Sequence, residues 1–194
     1  MNINFFLQSQ DFGGAEQFAF DLLTSLSQQK QQVVLYTSNS SLSVKISQNR
    51  YLQVKKLPVY LDFAGNWRGL LKSLCLSPYA LLAYLRLFAQ IKKNPGQQIV
   101  VYSGFSEKIL PGWLAKFYQL PIYFIEYGPL EPIFQKLAAM PSYLYLLSKN
   151  SAKKVIVPSK HTFQALTKYF PKTKLVYLPC GVKDRKSTRL NSSH

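Results

Sequence analysis

The first forty residues constrain the fold more than any other stretch, because two adjacent glycines separate a short apolar run from an amphipathic helix. The apolar run at residues 3–7 predicts a buried strand. After Gly13 and Gly14, apolar residues recur at the spacing of one helix face: Ala15, Phe18, Ala19, Leu22, Leu23 and Leu26. Residues 33–36 predict a second strand. The chain therefore opens with a strand–helix–strand unit.

The two glycines suit a phosphate at the start of the helix. Without Cβ atoms, Gly13 and Gly14 permit positive φ angles and close approach of a ligand to the backbone. The first N–H groups of a helix have no partner within it, and the helix dipole favours an anion there. A tight connection without a ligand is the alternative. Glu16 is interpreted mainly as an electrostatic cap of its own helix, with contact to a ligand as the alternative.

The rest of the chain alternates short apolar strands with helices. Strands are predicted at residues 51–54, 99–102, 121–125, 155–157 and 175–178, and helices at 70–93, 110–118, 133–149 and 162–169. Ser77 and Pro78 predict that residues 70–93 form two helical parts, the second starting there, and Pro141 predicts an interruption of residues 133–149. Residues 38–41 are predicted to be a loop. This pattern is typical of an α/β fold, with a mostly parallel sheet covered by helices on both faces.

In such a sheet, ligands bind beyond the carboxyl ends of the strands. Three loops have that position, at residues 8–14, 126–129 and 158–161. Glu126 is a candidate to orient a substrate hydroxyl, and a solvated loop carboxylate is the alternative. Tyr127 and Ser159 are candidate substrate contacts, although a helix cap is the favoured interpretation of Ser159.

The net charge of +16 over 194 residues predicts an anionic partner. Nucleic acid, anionic lipid headgroups and phosphorylated substrates are all negatively charged. Because the aromatic residues fall mostly in apolar stripes, nucleic acid is not expected. Basic residues beside the apolar stripes of residues 70–93 leave an anionic membrane surface as a minority interpretation. The two cysteines and two histidines lack metal-ligand spacing, so no metal is expected, and no uncharged apolar run reaches 18 residues.

Three motifs in order resemble the glycosyltransferases of family 4, which have the GT-B fold. The opening sequence Gly-Gly-Ala-Glu at residues 13–16 is similar to the start of that family. The strand followed by Pro158, Ser159 and a helix resembles a second family motif, and residues 174–182 resemble the strand that ends in proline, asparagine, glycine and valine. The resemblance covers residues 1–182. Cys180 stands where the family has the asparagine.

The resemblance implies that residues 1–183 are the amino-terminal, Rossmann-like domain of a two-domain enzyme and mainly bind the acceptor. A nucleotide-diphosphate sugar is the implied donor, and a saccharide or lipid-linked molecule the implied acceptor. No other cofactor is expected. Gly13 and Gly14 match the loop that approaches the donor diphosphate, while most of the donor site belongs to the second domain. The enzyme is expected to be cytoplasmic or peripheral on the inner face of a membrane, and this chain alone is expected to be inactive.

Two further points follow from the resemblance. The family often has a histidine near the reacting sugar after the fifth strand; here Glu126 takes that place, or the alignment shifts by one to Tyr127. Residues 184–194 are polar apart from Leu190 and resemble a translated sequencing adaptor, so they are predicted to be a disordered, non-native tail. The open alternatives are a basic Rossmann-like binding module and another Rossmann enzyme that uses a dinucleotide or a methyl donor.

Overall fold

The computed structural model describes residues 1–9, 13–46 and 51–179, without the side chains of residues 41, 45 and 46. These residues form a sheet of seven parallel strands in the order β3-β2-β1-β4-β5-β6-β7. The strands are β1 (Asn2–Leu7), β2 (Gln32–Thr37), β3 (Leu52–Lys56), β4 (Gln98–Tyr102), β5 (Ile122–Ile125), β6 (Lys154–Val157) and β7 (Leu175–Tyr177). Helices cover both faces of this sheet, so the predicted α/β fold is confirmed.

Seven α-helices connect the strands within the described residues. They are α1 (Gly14–Gln28), α2 (Ser40–Ile46), α3 (Trp67–Lys93), α4 (Phe105–Phe117), α5 (Glu131–Phe134), α6 (Met140–Ser148) and α7 (Lys160–Leu166). Helices α1 and α2 pack against one face of the sheet, and α3, α4, α6 and α7 pack against the other. The central strand β1 shows why both faces are apolar, since Phe5 joins the cluster under α1 while Phe6 joins the cluster under α3.

The sheet contains a point where the direction of winding reverses. From β1 the chain first builds outward through β2 and β3, then returns to place β4 on the other side of β1. At such a point, the loops after the two neighbouring strands diverge and leave a crevice at the carboxyl edge. The loops after β1 and β4 lie at this crevice.

The predicted break at Ser77 and Pro78 is wrong, because α3 is one continuous helix of 27 residues. Asn66 is its N-cap and accepts a hydrogen bond from the Gly69 N–H at 2.7 Å. Pro78 lies on the exposed side, where water can solvate the carbonyl that proline leaves without a helical partner. The buried residues before and after Pro78 share one face, so a straight helix keeps both halves in the core: Leu70, Ser73, Ala80, Tyr84, Phe88 and Ile91.

Other helix boundaries also differ from the prediction. Residues 40–46 form α2 where a loop was predicted from residue 38 to 41, and α4 begins five residues before the predicted start at 110. The interruption predicted at Pro141 lies instead at Leu137–Ala139, where three consecutive residues have left-handed φ angles of 52°, 51° and 62°. Pro141 is in the first turn of α6, a position that suits its fixed φ angle.

Candidate functional site

A cavity of about 220 Å³ opens at the carboxyl edge of the sheet, at the reversal of winding. Its walls come from the end of β1, the first turns of α1 and α4, and the loop after β5. The loops predicted after the first and fifth strands therefore do meet. Ser159, in the third predicted loop, does not line this cavity.

The start of α1 presents bare backbone to solvent beside the cavity. Gly13 and Gly14 are both exposed, and a Cβ atom built on Gly14 has no heavy atom within 4 Å. Gly13 is the N-cap residue and, having no side chain, offers no side-chain oxygen to the first-turn N–H groups. An anionic ligand therefore has steric access to these donors.

Gly13 and Gly14 do not use the positive φ angles that the lack of a Cβ atom permits. Gly13 has a φ angle of −128°, and Gly14 is the first residue of the helix, so neither uses the left-handed region. Of the described glycines, Gly96 alone has a positive φ angle. The glycines at this turn keep the backbone uncovered and do not provide an unusual backbone conformation.

Glu16 caps the helix from within its own first turn. Its Oε2 atom accepts a hydrogen bond from the Gly13 N–H at 2.8 Å, and the side chain is buried in the wall of the cavity. This contact leaves the next N–H groups, those of Gly14 and Ala15, as the donors available to a ligand. The interpretation of Glu16 as a cap agrees with this geometry, and its contact with substrate stays a prediction.

Glu126 lies in the cavity wall directly after β5, and its carboxylate belongs to a buried network. Lys108 Nζ lies 2.9 Å from Glu126 Oε1, and these side chains are 2% and 7% exposed. Tyr145 donates its hydroxyl hydrogen to the same oxygen at 2.5 Å. Lys108 also donates to the carbonyl oxygen of Ile125 at 2.6 Å. Glu126 is therefore a fixed carboxylate and not a freely moving loop side chain.

The tyrosine of this network is held neutral by its surroundings. Burial raises the pKa of Tyr145 well above its ordinary value, and the Glu126 carboxylate raises it further. A neutral phenol donates its hydrogen to the carboxylate, as the geometry requires. Lys108 supplies the positive charge that a buried carboxylate needs.

The start of α4 repeats the hydrogen bond seen at the start of α1. Glu107 Oε2 accepts from the Gly104 N–H at 2.8 Å, just as Glu16 does from Gly13. Glu107, however, is only 1% exposed. Burial raises the pKa of Glu107 to about 7, an effect that the Gly104 N–H and the Lys108 ammonium oppose.

Tyr127 and Ser159 are held by contacts within the protein. The hydroxyl groups of Tyr127 and Ser103 are 2.6 Å apart in the cavity wall. Ser159 caps α7, with its Oγ 3.5 Å from the Thr162 N–H, as favoured from the sequence. Thr162 in turn donates to the carbonyl oxygen of Tyr127 at 3.4 Å, which joins this helix to the loop after β5.

The sequence interpretation missed four residues of this site: Ser103, Glu107, Lys108 and Tyr145. One signal was available for Glu107, because Gly104 precedes it by three residues just as Gly13 precedes Glu16. No local sequence pattern indicated that Lys108 or Tyr145 belongs to the site, because these residues contact Glu126 from α4 and α6. Over the described ranges no cluster of three or more His, Cys, Asp or Glu residues is placed to hold a metal ion.

A doubly wound parallel sheet with a crevice at its winding reversal defines a Rossmann-like class of domain. The sequence profile of Glycosyltransferase Family 4 matches residues 12–186. The chain belongs to that family. Among curated proteins, none shows significant sequence similarity to it.

Solved structures with this fold include several GT-B glycosyltransferases. Alr3699/HepE from Anabaena, solved with UDP and glucose, is 15% identical with a TM-score of 0.65 over 93% of this chain and 44% of its own. The lipopolysaccharide outer core galactosyltransferase WaaB is 13% identical, with a TM-score of 0.58 over 95% of this chain and 47% of its own. MurG from Acinetobacter baumannii is 16% identical, with a TM-score of 0.56 over all of this chain and 50% of its own. The chain thus spans half or less of these proteins, and the similarity shows the fold.

Proposed function

We propose that the chain is the amino-terminal, acceptor-side half of a glycosyltransferase that transfers a sugar from a nucleotide-diphosphate donor. The observation that carries this proposal is the uncovered start of α1 beside the cavity, in a chain of Glycosyltransferase Family 4. Residues 1–183 form this domain in the proposal. Residues 180–194, including the predicted tail, lie outside the described residues.

The donor diphosphate is proposed to bind the first-turn amides of α1. Gly14 and Ala15 offer N–H groups at the positive end of a 15-residue helix, and among the described residues no heavy atom lies within 4 Å of a Cβ atom built on Gly14. A fold relative was solved with UDP, which makes a uridine nucleotide a suitable probe. Fixed amides of this kind stabilise the charge that develops on the leaving diphosphate.

Glu126 is proposed to orient the acceptor hydroxyl. It occupies the loop in which the family often places a histidine near the reacting sugar. Lys108 and Tyr145 both bind its Oε1 and so fix the direction of the carboxylate. A carboxylate fixed in this way can accept a hydrogen bond from a substrate hydroxyl with little loss of side-chain entropy.

The acceptor is proposed to be a saccharide or a lipid-linked molecule, and the enzyme to work in the cytoplasm or on the inner face of a membrane. The large positive charge supports an anionic surface or substrate nearby. Nucleic acid is not proposed as a partner, because most aromatic side chains of the core are inaccessible to bases.

Replacing Gly14 tests the proposed donor site. In the whole enzyme, Gly14→Val places a branched side chain over the amides and should weaken UDP binding about tenfold to a hundredfold, measured by calorimetry. Gln17→Val, on the exposed side of the same helix, is the matched control and should bind UDP normally. Equal affinity of both variants would overturn the site.

Replacing Glu126 tests the catalytic assignment. Glu126→Gln in the whole enzyme should lower kcat about 10²- to 10⁴-fold, because the amide is a much poorer hydrogen-bond acceptor for the reacting hydroxyl. Asp21→Asn, at an exposed carboxylate of α1, is the control. Near-normal turnover by the folded variant, at a temperature where circular dichroism shows it to be native, would remove Glu126 from the reaction. Sugar transfer by the 194-residue chain alone would contradict the proposed need for a second domain.

A further inference from the structure

The exposed apolar side chains of the domain are concentrated on one side. Helices α3, α4 and α6 cover the same face of the sheet, and α4 packs against both of the others. Their solvent sides carry eleven large exposed apolar residues: Trp67, Leu71, Leu74, Tyr79, Leu82, Trp113, Phe117, Met140, Tyr143, Leu146 and Leu147. We call these residues and the basic residues among them the outer face. Six such residues lie elsewhere in the described chain, three of them separately and three together at residues 176–178.

Helix α3, which has 27 residues, has three sides that differ in burial and charge. One side is the buried row that includes Tyr84 and Phe88. A second side is an exposed apolar row at residues 67, 71, 74, 78 and 82, which follows the spacing of a helix face. Next to it runs a basic row with Arg68, Lys72, Arg86 and Lys93, again at helical spacing. An ordinary surface helix has only a buried side and a polar side.

Charge distinguishes the outer face from the opposite side of the sheet. Helix α3 contains five Lys or Arg residues and no Asp or Glu, while α1 contains Glu16 and Asp21 and no Lys or Arg. Lys116 on α4 and Lys136 before α6 add two exposed positive charges to the outer face. Apolar and positive groups are therefore interleaved on this side.

We propose that the outer face binds the surface of an anionic phospholipid bilayer. The two tryptophans and the leucines suit the boundary between headgroups and acyl chains, while Arg and Lys side chains suit the phosphate level. Each basic residue near an anionic membrane strengthens binding. The five basic residues of α3, together with Lys116 and Lys136, add their contributions. The inference adds a docking face to the proposed location at a membrane, but it does not depend on sugar transfer.

The helix is proposed to lie along the membrane and not to cross it. By length and composition alone α3 passes for a membrane span, with a mean hydropathy of 1.4 over its best window. Ala80, Tyr84 and Phe88 are at most 1% exposed, however, because they pack in the core of the domain. Extracting them to span a bilayer would remove one wall of that core.

Two other occupants fit the outer face less well. A nucleic acid would use the exposed aromatic and basic residues but leave Leu71, Leu74 and Leu82 without partners, since bases stack on rings. A second copy of the chain would bring two positively charged faces together. A bilayer with anionic headgroups satisfies both the leucines and the charge.

One end of the outer face, the start of α3, is connected to the region of the site. The N-terminal end of α3 follows the segment at residues 61–63, which is tied to the cavity region by two contacts. Leu61 exchanges hydrogen bonds with the Gln8 side chain, and the Phe63 N–H donates to Ser106 Oγ at 3.0 Å. Trp67, at the start of α3, therefore lies at the same edge of the sheet as the cavity. If the proposed function holds, a lipid-linked acceptor enters the cavity from the membrane that this face binds.

Both tryptophans of the chain, Trp67 and Trp113, lie on the outer face, so intrinsic fluorescence reports directly on docking. The 194-residue chain is mixed with vesicles of phosphatidylcholine containing about 30 mol % phosphatidylglycerol. We expect a blue shift of the emission and quenching by brominated acyl chains. Pure phosphatidylcholine vesicles should bind weakly. Absence of both signals with the anionic vesicles would overturn the inference, as would equal binding to both vesicle types.

Exposed substitutions separate the two components of binding without disturbing the core. Arg68→Gln with Lys72→Gln should weaken vesicle binding about 30-fold, since each basic residue contributes a factor of about five. Leu71→Gln with Leu82→Gln should weaken it by at least about tenfold and abolish the quenching. Lys172→Gln and Val44→Gln are matched controls away from the outer face and should bind normally.

Two further measurements address the other occupants. The first is whether a single-stranded RNA binds the chain more tightly than the vesicles do and loses its affinity in the variant with Arg68→Gln and Lys72→Gln. That result would assign the face to nucleic acid and overturn the lipid assignment. Dimerisation in solution that the Leu71 and Leu82 changes abolish would assign the face to a second copy. Vesicle binding needs neither donor nor acceptor, so its failure is distinct from failure of the proposed transferase activity.

Discussion

The starts of α1 and α4 have the same local hydrogen bond but different surroundings. In each, a glycine is the N-cap and the glutamate three residues later accepts from its N–H at 2.8 Å. At α1 both glycines are exposed: a Cβ atom on the N-cap Gly13 would lie 3.3 Å from Glu16 Oε2, and one on the next residue, Gly14, would have no heavy atom within 4 Å. At α4 a Cβ atom on Gly104 would lie 2.8 Å from Glu107 Oε2 and 3.4 Å from the Gln8 carbonyl oxygen. The first start is open to a ligand, whereas the second is packed by the protein itself.

This difference teaches that a glycine–glutamate helix start does not by itself identify a ligand site. At α4 the carboxylate, the following Lys108 and the neighbouring loops fill the space that a ligand would need. At α1 Glu16 uses only the N–H group of Gly13, and the next residue, Gly14, is exposed. Tertiary packing therefore assigns a structural role to one start and leaves the other available for binding.

The largest effect is expected from removing the positive charge in the first turns of α4. Lys108→Met leaves the buried Glu126 carboxylate without its counter charge and should lower the free energy of unfolding by about 3–5 kcal/mol. Chemical denaturation measures this change. The double variant Lys108→Met with Glu126→Gln should recover part of the loss, because no uncompensated charge remains. A loss below about 1 kcal/mol in the single variant would show that the pair is not buried as described.

The second effect is a pH dependence of stability that arises at the start of α4. Because burial raises the pKa of Glu107 from 4.5 to about 7, the unfolded chain loses this proton first as pH rises. The folded state should therefore lose about 3 kcal/mol of stability between pH 4.5 and pH 7 through this group. Glu107→Gln should remove that decline in denaturation curves across this range. An unchanged slope in the variant would contradict the burial of Glu107.

The smallest effect comes from adding a single methyl group at each helix start. Gly104→Ala forces the buried Glu107 carboxylate to move and should lower the free energy of unfolding by about 1–3 kcal/mol. Gly14→Ala meets no neighbour and should leave stability unchanged or raise it by up to about 1 kcal/mol, because alanine favours the helix. Thermal and chemical denaturation of the two variants side by side test the contrast. Equal destabilisation at both positions would remove the distinction between the open and the packed start.

Most of the fold was predictable because its strands and helices are marked by local patterns. Short apolar runs, such as those around Phe5, Leu35, Val101 and Phe124, predicted the seven strands to within a few residues. Errors arose where packing overrides a local signal. Pro78 looked like the start of a helix, yet it lies inside one, since the buried residues on both sides of it share a single face.

The candidate site was predictable only in part. Glu126 and the glycines at the start of α1 could be located because loops after parallel strands meet at one edge. Lys108 and Tyr145 could not be found this way, since they lie 18 and 19 residues from Glu126 and no short motif joins them. The basic residues beside the apolar stripes of residues 70–93 suggested a membrane-binding surface. Which residues form the outer face could be determined only from the exposure of the apolar side chains in the structure.

The amino-acid sequence by itself determined the α/β class, the strand order along the chain, the family and the excess of positive charge, because each is encoded in local pattern or composition. Only the tertiary structure decided which of two similar helix starts is open, which carboxylate is neutralised by a buried lysine, and which apolar residues face water. The physical reason is that burial and pairing depend on neighbours from distant parts of the chain. Those neighbours set the desolvation and the electrostatic energy of Glu107 and Glu126, and no local pattern specifies them.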